Sequence, residues 1–149
     1  MARLTINSHM HSFQLIRRVT DVSDRRVRAD AAFAQWPVYT GLEAMAQLAA
    51  LHVRYSLDFK RHVFLLKIDR YDLPPLETLN GDFSLIAERI SQSSQSFAYG
   101  VIAQGPDDLT MQAQLLIGTL DYDERFNKDR LKQHYRKIFE AMRNGPTQS

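Results

Sequence analysis

Cysteine is absent from these 149 residues, which excludes disulfide bridges and thiolate metal sites. A long apolar run is absent too. No window approaches the 18 residues that a membrane-spanning helix needs, and the opening "MARLTINSHMHSF" has no apolar core of signal-peptide length. The expectation is a soluble protein that stays in a reducing cytoplasm. Charge of one sign is also missing, since 19 basic residues face 17 acidic ones for a formal net charge of +2. That balance gives no argument for a nucleic-acid partner. Internal repeats, low-complexity segments, a phosphate loop and a nucleophile elbow are all absent. No His/Asp/Glu set has the spacing of a metal site, so neither a metal nor a cofactor is expected.

What remains is one ordinary globular domain, 44% apolar and long enough to bury a core unaided. "FQLIRRV" and "RRVRADAAF" read as two strands joined by the turn "TDVSD", with Val27, Ala29, Ala31 and Phe33 alternating toward one face. "AQWPVY" reads as an irregular approach, because Pro37 lacks an N–H and restricts Trp36. A helix follows over about Gly41 to Ser56. Four strands come next: "HVFLLKIDRYDL", "GDFSLIAERIS", "SFAYGVIAQ" and "LTMQAQLLIGTL". An amphipathic helix over about Glu124 to Arg143, with its stripe at Leu131, Tyr135, Ile138 and Met142, ends the chain. Strand, strand, helix, four strands, helix is the order of an α+β domain with a mainly antiparallel sheet. Residues 1–122 form the domain and 123–149 a C-terminal helical extension.

The helix "TGLEAMAQLAALHVRYSL" is apolar nearly all round, the pattern of a buried helix. Its exceptions, Glu43, Gln47 and Arg54, fall on one side with Ala50 between them. A buried charge needs partners there. "TGLE" matches a capping box, Thr40 as N-cap and Glu43 three residues on. The same carboxylate, beside the free amides of a helix start, also suits proton transfer next to a polarised thioester carbonyl. Spacing leaves both roles open.

"GLEAMAQLAAL" resembles the central-helix motif of the hotdog-fold 3-hydroxyacyl-ACP dehydratases, the FabZ and FabA group, in which Glu or Asp precedes Ala-Met-x-Gln. "INSHMHSFQLIRRV" is similar to the opening segment of that family, with His9 at its His position, Phe13 at its Phe and Arg18-Val19 as its closing pair. "FLLKIDRYDLPPLETLNGDFSLIAERI" is similar to its strand, turn and next strand. The resemblance covers roughly residues 4–121. It implies a long helix wrapped by a curved antiparallel sheet, a homodimer with an acyl tunnel between protomers, and an acyl-ACP or acyl-CoA substrate. Carried over, Glu43 is the catalytic acid. Gly41 and Leu42 offer backbone amides, and Gln47 and Tyr39 join them in binding substrate.

The chain departs from the family on the approach to the helix, where "ADAAFAQWPVYTG" holds no His. The dehydratase-like proteins of aryl polyene clusters, whose motif is similar to "W-x-G-I-E-x-M-A-Q", share that departure and match "YTGLEAMAQ" well. In such a variant His9 or His11 is the candidate imidazole; the alternative is that each stands exposed and inert or is satisfied by backbone. His52, His62 and His134 read as packing or surface residues. The basic residues Lys128, Arg130, Lys132, Arg136 and Lys137 of the last helix suit either a packed helix or the docking of an acidic carrier. The first expectation is a 3-hydroxyacyl-thioester dehydratase; the alternatives are an acyl thioesterase on the same fold and a non-catalytic acyl- or carrier-binding subunit.

Overall fold

A computed structural model describes residues 15–121 and, in the C-terminal segment, positions 133, 136, 137, 139 and 140. Seven main elements follow in chain order: β1 (Ile16–Val22), β2 (Arg26–Pro37), α1 (Tyr39–Ser56), β3 (His62–Asp72), β4 (Thr78–Gln92), β5 (Ser96–Gln104) and β6 (Thr110–Leu120). The strands form one sheet of six in the order β1-β2-β4-β5-β6-β3, and every neighbouring pair is antiparallel. The connection through α1 therefore carries the chain from the second strand of the sheet to the far edge. α1 touches all six strands, so the sheet wraps the helix.

Alternation in the strands builds the core. Val27, Ala29, Ala31 and Phe33 of β2 face α1, as do Leu79, Phe83, Leu85 and Ala87 of β4 and Val101 and Ala103 of β5. The alanines leave room for the helix backbone. Bulges in β1, β2, β3 and β4 add local twist that helps the sheet curl. Across the outer face, basic residues stand opposite acidic ones in register: Arg18 beside Asp30, Arg28 beside Asp21 and Arg26 beside Glu88. The basic clusters of the N-terminal hairpin are thus matched across strands.

Three sequence expectations are corrected. The approach "AQWPVY" is regular strand as far as Pro37, interrupted only by a bulge between Ala34 and Trp36. The helix starts at Tyr39, two residues earlier than expected, because the Val38 amide is taken by the Glu77 carbonyl (3.0 Å) and the chain turns at once. Thr40 does not cap it. Val38 stands at the N-cap with no side-chain cap bond, and the Thr40 hydroxyl donates to the Pro37 carbonyl instead (2.6 Å).

In the C-terminal segment the described residues are helical. Phe139 is buried against Tyr55 and Phe59 at ring-centroid distances of 5.1 and 5.8 Å. Arg136 pairs with Asp58 and lies over the Phe59 ring. The expected stripe of Leu131, Tyr135, Ile138 and Met142 lies outside the described residues. Among the described residues no helix is long and apolar enough to cross a membrane.

Candidate functional site

α1 is not buried all round. Gly41, Ala44, Met45, Leu48, Ala49, Leu51, His52, Val53 and Arg54 are buried. Leu42, Ala46, Gln47 and Ala50 are half-buried, and Glu43 is exposed. These five, at three- and four-residue spacing, form one open stripe along the first half of the helix. Arg54 leaves that seam for the interior, where its guanidinium donates to the Val63 carbonyl at 3.0 Å. The seam is therefore closed at its C-terminal end by β3 and open at its start.

Each sequence-assigned residue has a definite place. Glu43 lies in the second turn, beyond the capping positions, with its carboxylate on the open stripe. Gln47 follows one turn later on the same stripe, and its Oε1 accepts the Leu15 amide at 2.9 Å. Gln47 thus pins the entry of β1 to the helix.

Gly41 sits on the opposite side, pressed on the sheet. A Cβ there would lie 2.5 Å from Met111 Sδ and 2.9 Å from Leu79 Cδ1. Its amide donates to the Val38 carbonyl (3.0 Å), so close packing accounts for this glycine. Tyr39 is half exposed at the helix start, and Leu42 lies beside Glu43. His9 and His11 lie outside the described residues, as does His134.

His52 and His62, the described imidazoles, are elsewhere. His62 opens β3 and stacks near Phe64. His52 is about 13–14 Å along the helix axis from Glu43, at 1.5 Å per residue, and fully buried. Its Nε2 lies 2.7 Å from the Ser23 carbonyl and its Nδ1 2.5 Å from the Tyr99 hydroxyl. A carbonyl can only accept, so Nε2 carries the proton and the Tyr99 hydroxyl donates to Nδ1. Burial, above all, holds His52 below the usual imidazole value; Arg89 adds to this while the Ser23 carbonyl and Asp24 oppose it. Burial likewise pushes the Tyr99 phenol well up, against a hydrogen bond and the charge of Arg89. His52 is therefore a neutral structural group, as its place in an apolar helix suggested. Its partner Tyr99 is 47 residues away, and no local pattern announces that contact.

At the other end of the helix the bulge in β2 brings forward a group that sequence reading did not assign. Gln35 holds a left-handed backbone (φ 55°), its amide bonded to Asn80 Oδ1 at 3.2 Å. The next residue, Trp36, packs edge-on to Phe33 and lines a cleft of about 320 Å³ with Leu15, Ile16, Arg17 and Ala32. Among the described residues no group of three or more His, Asp or Glu side chains is placed to hold a metal.

No protein-family model matches the chain, and no curated protein matches it in sequence. Solved structures do. A conserved protein from Pseudomonas aeruginosa is similar at 13% identity with a TM-score of 0.62, over 77% of this chain and 95% of that one. A mutant thioesterase from the same organism is similar at 12% identity and a TM-score of 0.61, over 78% and 88%. The ApeI:P dehydratase heterocomplex from Xenorhabdus doucetiae is similar at 15% identity and a TM-score of 0.60, over 76% and 86%. At such identities the likeness is one of architecture: a long helix wrapped by six antiparallel strands, the hotdog fold.

Proposed function

We propose that this protein is an acyl-thioester enzyme, a dehydratase acting on 3-hydroxyacyl groups carried by ACP or CoA. Glu43 is its proton-transfer group. One observation carries this reading. The single carboxylate of the "GLEAMAQ" segment stands exposed on the open stripe along the first half of α1, outside the capping positions. The carboxylate takes the proton from the carbon next to the thioester carbonyl. It returns a proton to the β-hydroxyl as the C–O bond breaks, so the products are the enoyl thioester and water. Because Val38 holds the Gly41 amide, the carbonyl clamp falls to the amides of Tyr39 and Thr40, which precede the first intrahelical acceptor. His9 or His11 would supply a separate acid.

The open helix stripe, together with edge strand β3 and its exposed Leu65, Leu66 and Tyr71, is the surface that a second copy would cover in a homodimer. The C-terminal segment is tied to this domain through Phe139 and Arg136.

Thioester hydrolysis is the second reading, favoured by the distance of His52 from Glu43. There Glu43 takes a proton from a water that attacks the carbonyl and passes it to the departing thiolate. Mass spectrometry of 3-hydroxyacyl and saturated acyl thioesters, with wild type and Glu43→Gln, tests both. Loss of water by the wild type, slowed at least about 100-fold by the substitution, is the expected result. Release of free acid moves the assignment to a thioesterase. No turnover of either substrate overturns catalysis and leaves a binding subunit.

A further inference from the structure

We propose that the Tyr39 phenol is the acid of the dehydration, giving its proton to the β-hydroxyl while Glu43 takes the proton from the neighbouring carbon. The inference rests on the dehydratase reading and assigns the role otherwise left to His9 or His11. Expulsion of hydroxide from carbon needs a proton at the departing oxygen. Neither described imidazole is placed to give it. His52 is buried, about two and a half turns further along the helix than Glu43, and His62 opens β3 against Phe64. The Thr40 hydroxyl is committed to the Pro37 carbonyl (2.6 Å), and the Gln47 amide is not an acid.

The early start of α1 is what places Tyr39. Because the Glu77 carbonyl holds the Val38 amide, the helix begins at Tyr39. Tyr39 and Glu43 thereby become i and i+4 neighbours, about 6 Å apart at Cβ. A helix begun at Gly41 would leave the phenol off this face. Helical side chains lean toward the N-terminus, so Glu43 reaches back over the turn that carries Tyr39. Tyr39 extends the open stripe of Leu42, Glu43, Ala46, Gln47 and Ala50 by one turn, and it is half exposed. Among the described residues its hydroxyl has no hydrogen-bond partner, which leaves it available to a ligand. This stripe is the surface a second copy would cover, so the substrate still lies between protomers, with acid and base supplied by one of them.

The steps balance. Glu43 takes the α-proton, and the C–H electron pair moves into the enolate, whose oxygen the amides at the helix start hold. As the enolate collapses to the α,β double bond, the β C–O bond breaks and the phenol proton leaves with the hydroxyl as water. The phenolate then recovers a proton from the Glu43 carboxyl one turn away, and both groups are reset. The proton that Glu43 returns thus reaches the β-hydroxyl by way of Tyr39.

The test compares two leaving groups. A 3-hydroxyacyl-CoA must be given a proton to lose water, whereas the matching 3-chloroacyl-CoA loses chloride without one. Rates above the uncatalysed background are followed for wild type, Tyr39→Phe, Glu43→Gln, His9→Gln and His11→Gln. Tyr39→Phe should slow water loss about 100-fold or more in kcat with KM little moved. Its chloride loss should stay at the wild-type rate, which also shows the site to be intact. Glu43→Gln should suppress both reactions. Chloride loss slowed as much as water loss would make Tyr39 a positioning residue and overturn the inference. Wild-type water loss in Tyr39→Phe overturns it equally, and the same selective defect in His9→Gln or His11→Gln instead would give the acid role to that imidazole. Wild-type protein that loses no water removes the dehydratase reading itself, and the inference with it.

Discussion

Replacing Tyr99 with Phe removes one oxygen from the interior and tests a short buried polar contact. Tyr99 is fully buried, and its hydroxyl lies 2.5 Å from Nδ1 of the equally buried His52. The phenylalanine ring fills the same space, so no sizeable cavity arises. What is lost is a hydrogen bond with a net value of about 1 kcal/mol, and what is left is a buried imidazole Nδ1, an acceptor without a donor, at a cost of about 1–3 kcal/mol. Water cannot easily repay that cost in so tight a site. The expected destabilisation is about 1–3 kcal/mol, which for a chain of this size lowers Tm by about 3–9 °C.

Urea denaturation should show a lower midpoint with an unchanged slope. His52→Leu and the double variant complete a cycle. The two single losses should exceed the double loss by about 1–2 kcal/mol, because each single change strands the other partner. If the losses add to within about 0.5 kcal/mol, or Tyr99→Phe is neutral, the contact is not the one described and the tautomer assignment falls with it.

The same pair sets a pH window. His52 is held below the ordinary imidazole value near 6.5, so as pH falls past that value the unfolded chain gains a proton that the folded protein refuses. Stability should then decline by up to about 1.4 kcal/mol per pH unit, and the decline should be shallower in His52→Leu. Tyr99 is shifted upward, so stability should also fall as pH rises past about 10, where the unfolded phenol releases its proton first. Chemical denaturation across pH checks both limbs.

Gly41→Ala gains about 0.8–1 kcal/mol of helix propensity but forces Met111 and Leu79, both fully or nearly fully buried, out of place at about 1–3 kcal/mol. A net loss near 1 kcal/mol is expected in thermal melts, and a net gain would refute the close-packing account. Phe139→Ala should cost about 3 kcal/mol in thermal melts, since this ring seals Tyr55 and Phe59.

Much of the architecture was legible because it depends on short-range patterns. The alternation of Val27, Ala29, Ala31 and Phe33 placed β2, and "SFAYGVIAQ" coincides with β5 from end to end. The helix was evident from apolar residues on every side. Its start was misplaced because Thr40 and Glu43 have capping-box spacing, while a contact from a distant segment, the Glu77 carbonyl on the Val38 amide, moved the boundary. Gly41 read as a backbone amide for the ligand; in the structure that amide is bonded to the Val38 carbonyl and the residue lies in close contact with Met111 and Leu79. No sequence window holds both partners. His52 was read as a packing or surface residue; it is buried, and its pairing with Tyr99 and Ser23 joins distant segments that no local pattern links.

By itself the sequence determined the class of fold, the number of strands and the identity of the one carboxylate on the central helix. Each of these is encoded in side-chain periodicity over a turn or two. Tertiary structure alone decided that this carboxylate stands on an open stripe, that Arg54 leaves the polar seam for the Val63 carbonyl, and that a bulge aims Trp36 into a cleft. Those outcomes depend on which strand lies beside which, and that is settled by the packing of residues tens of positions apart.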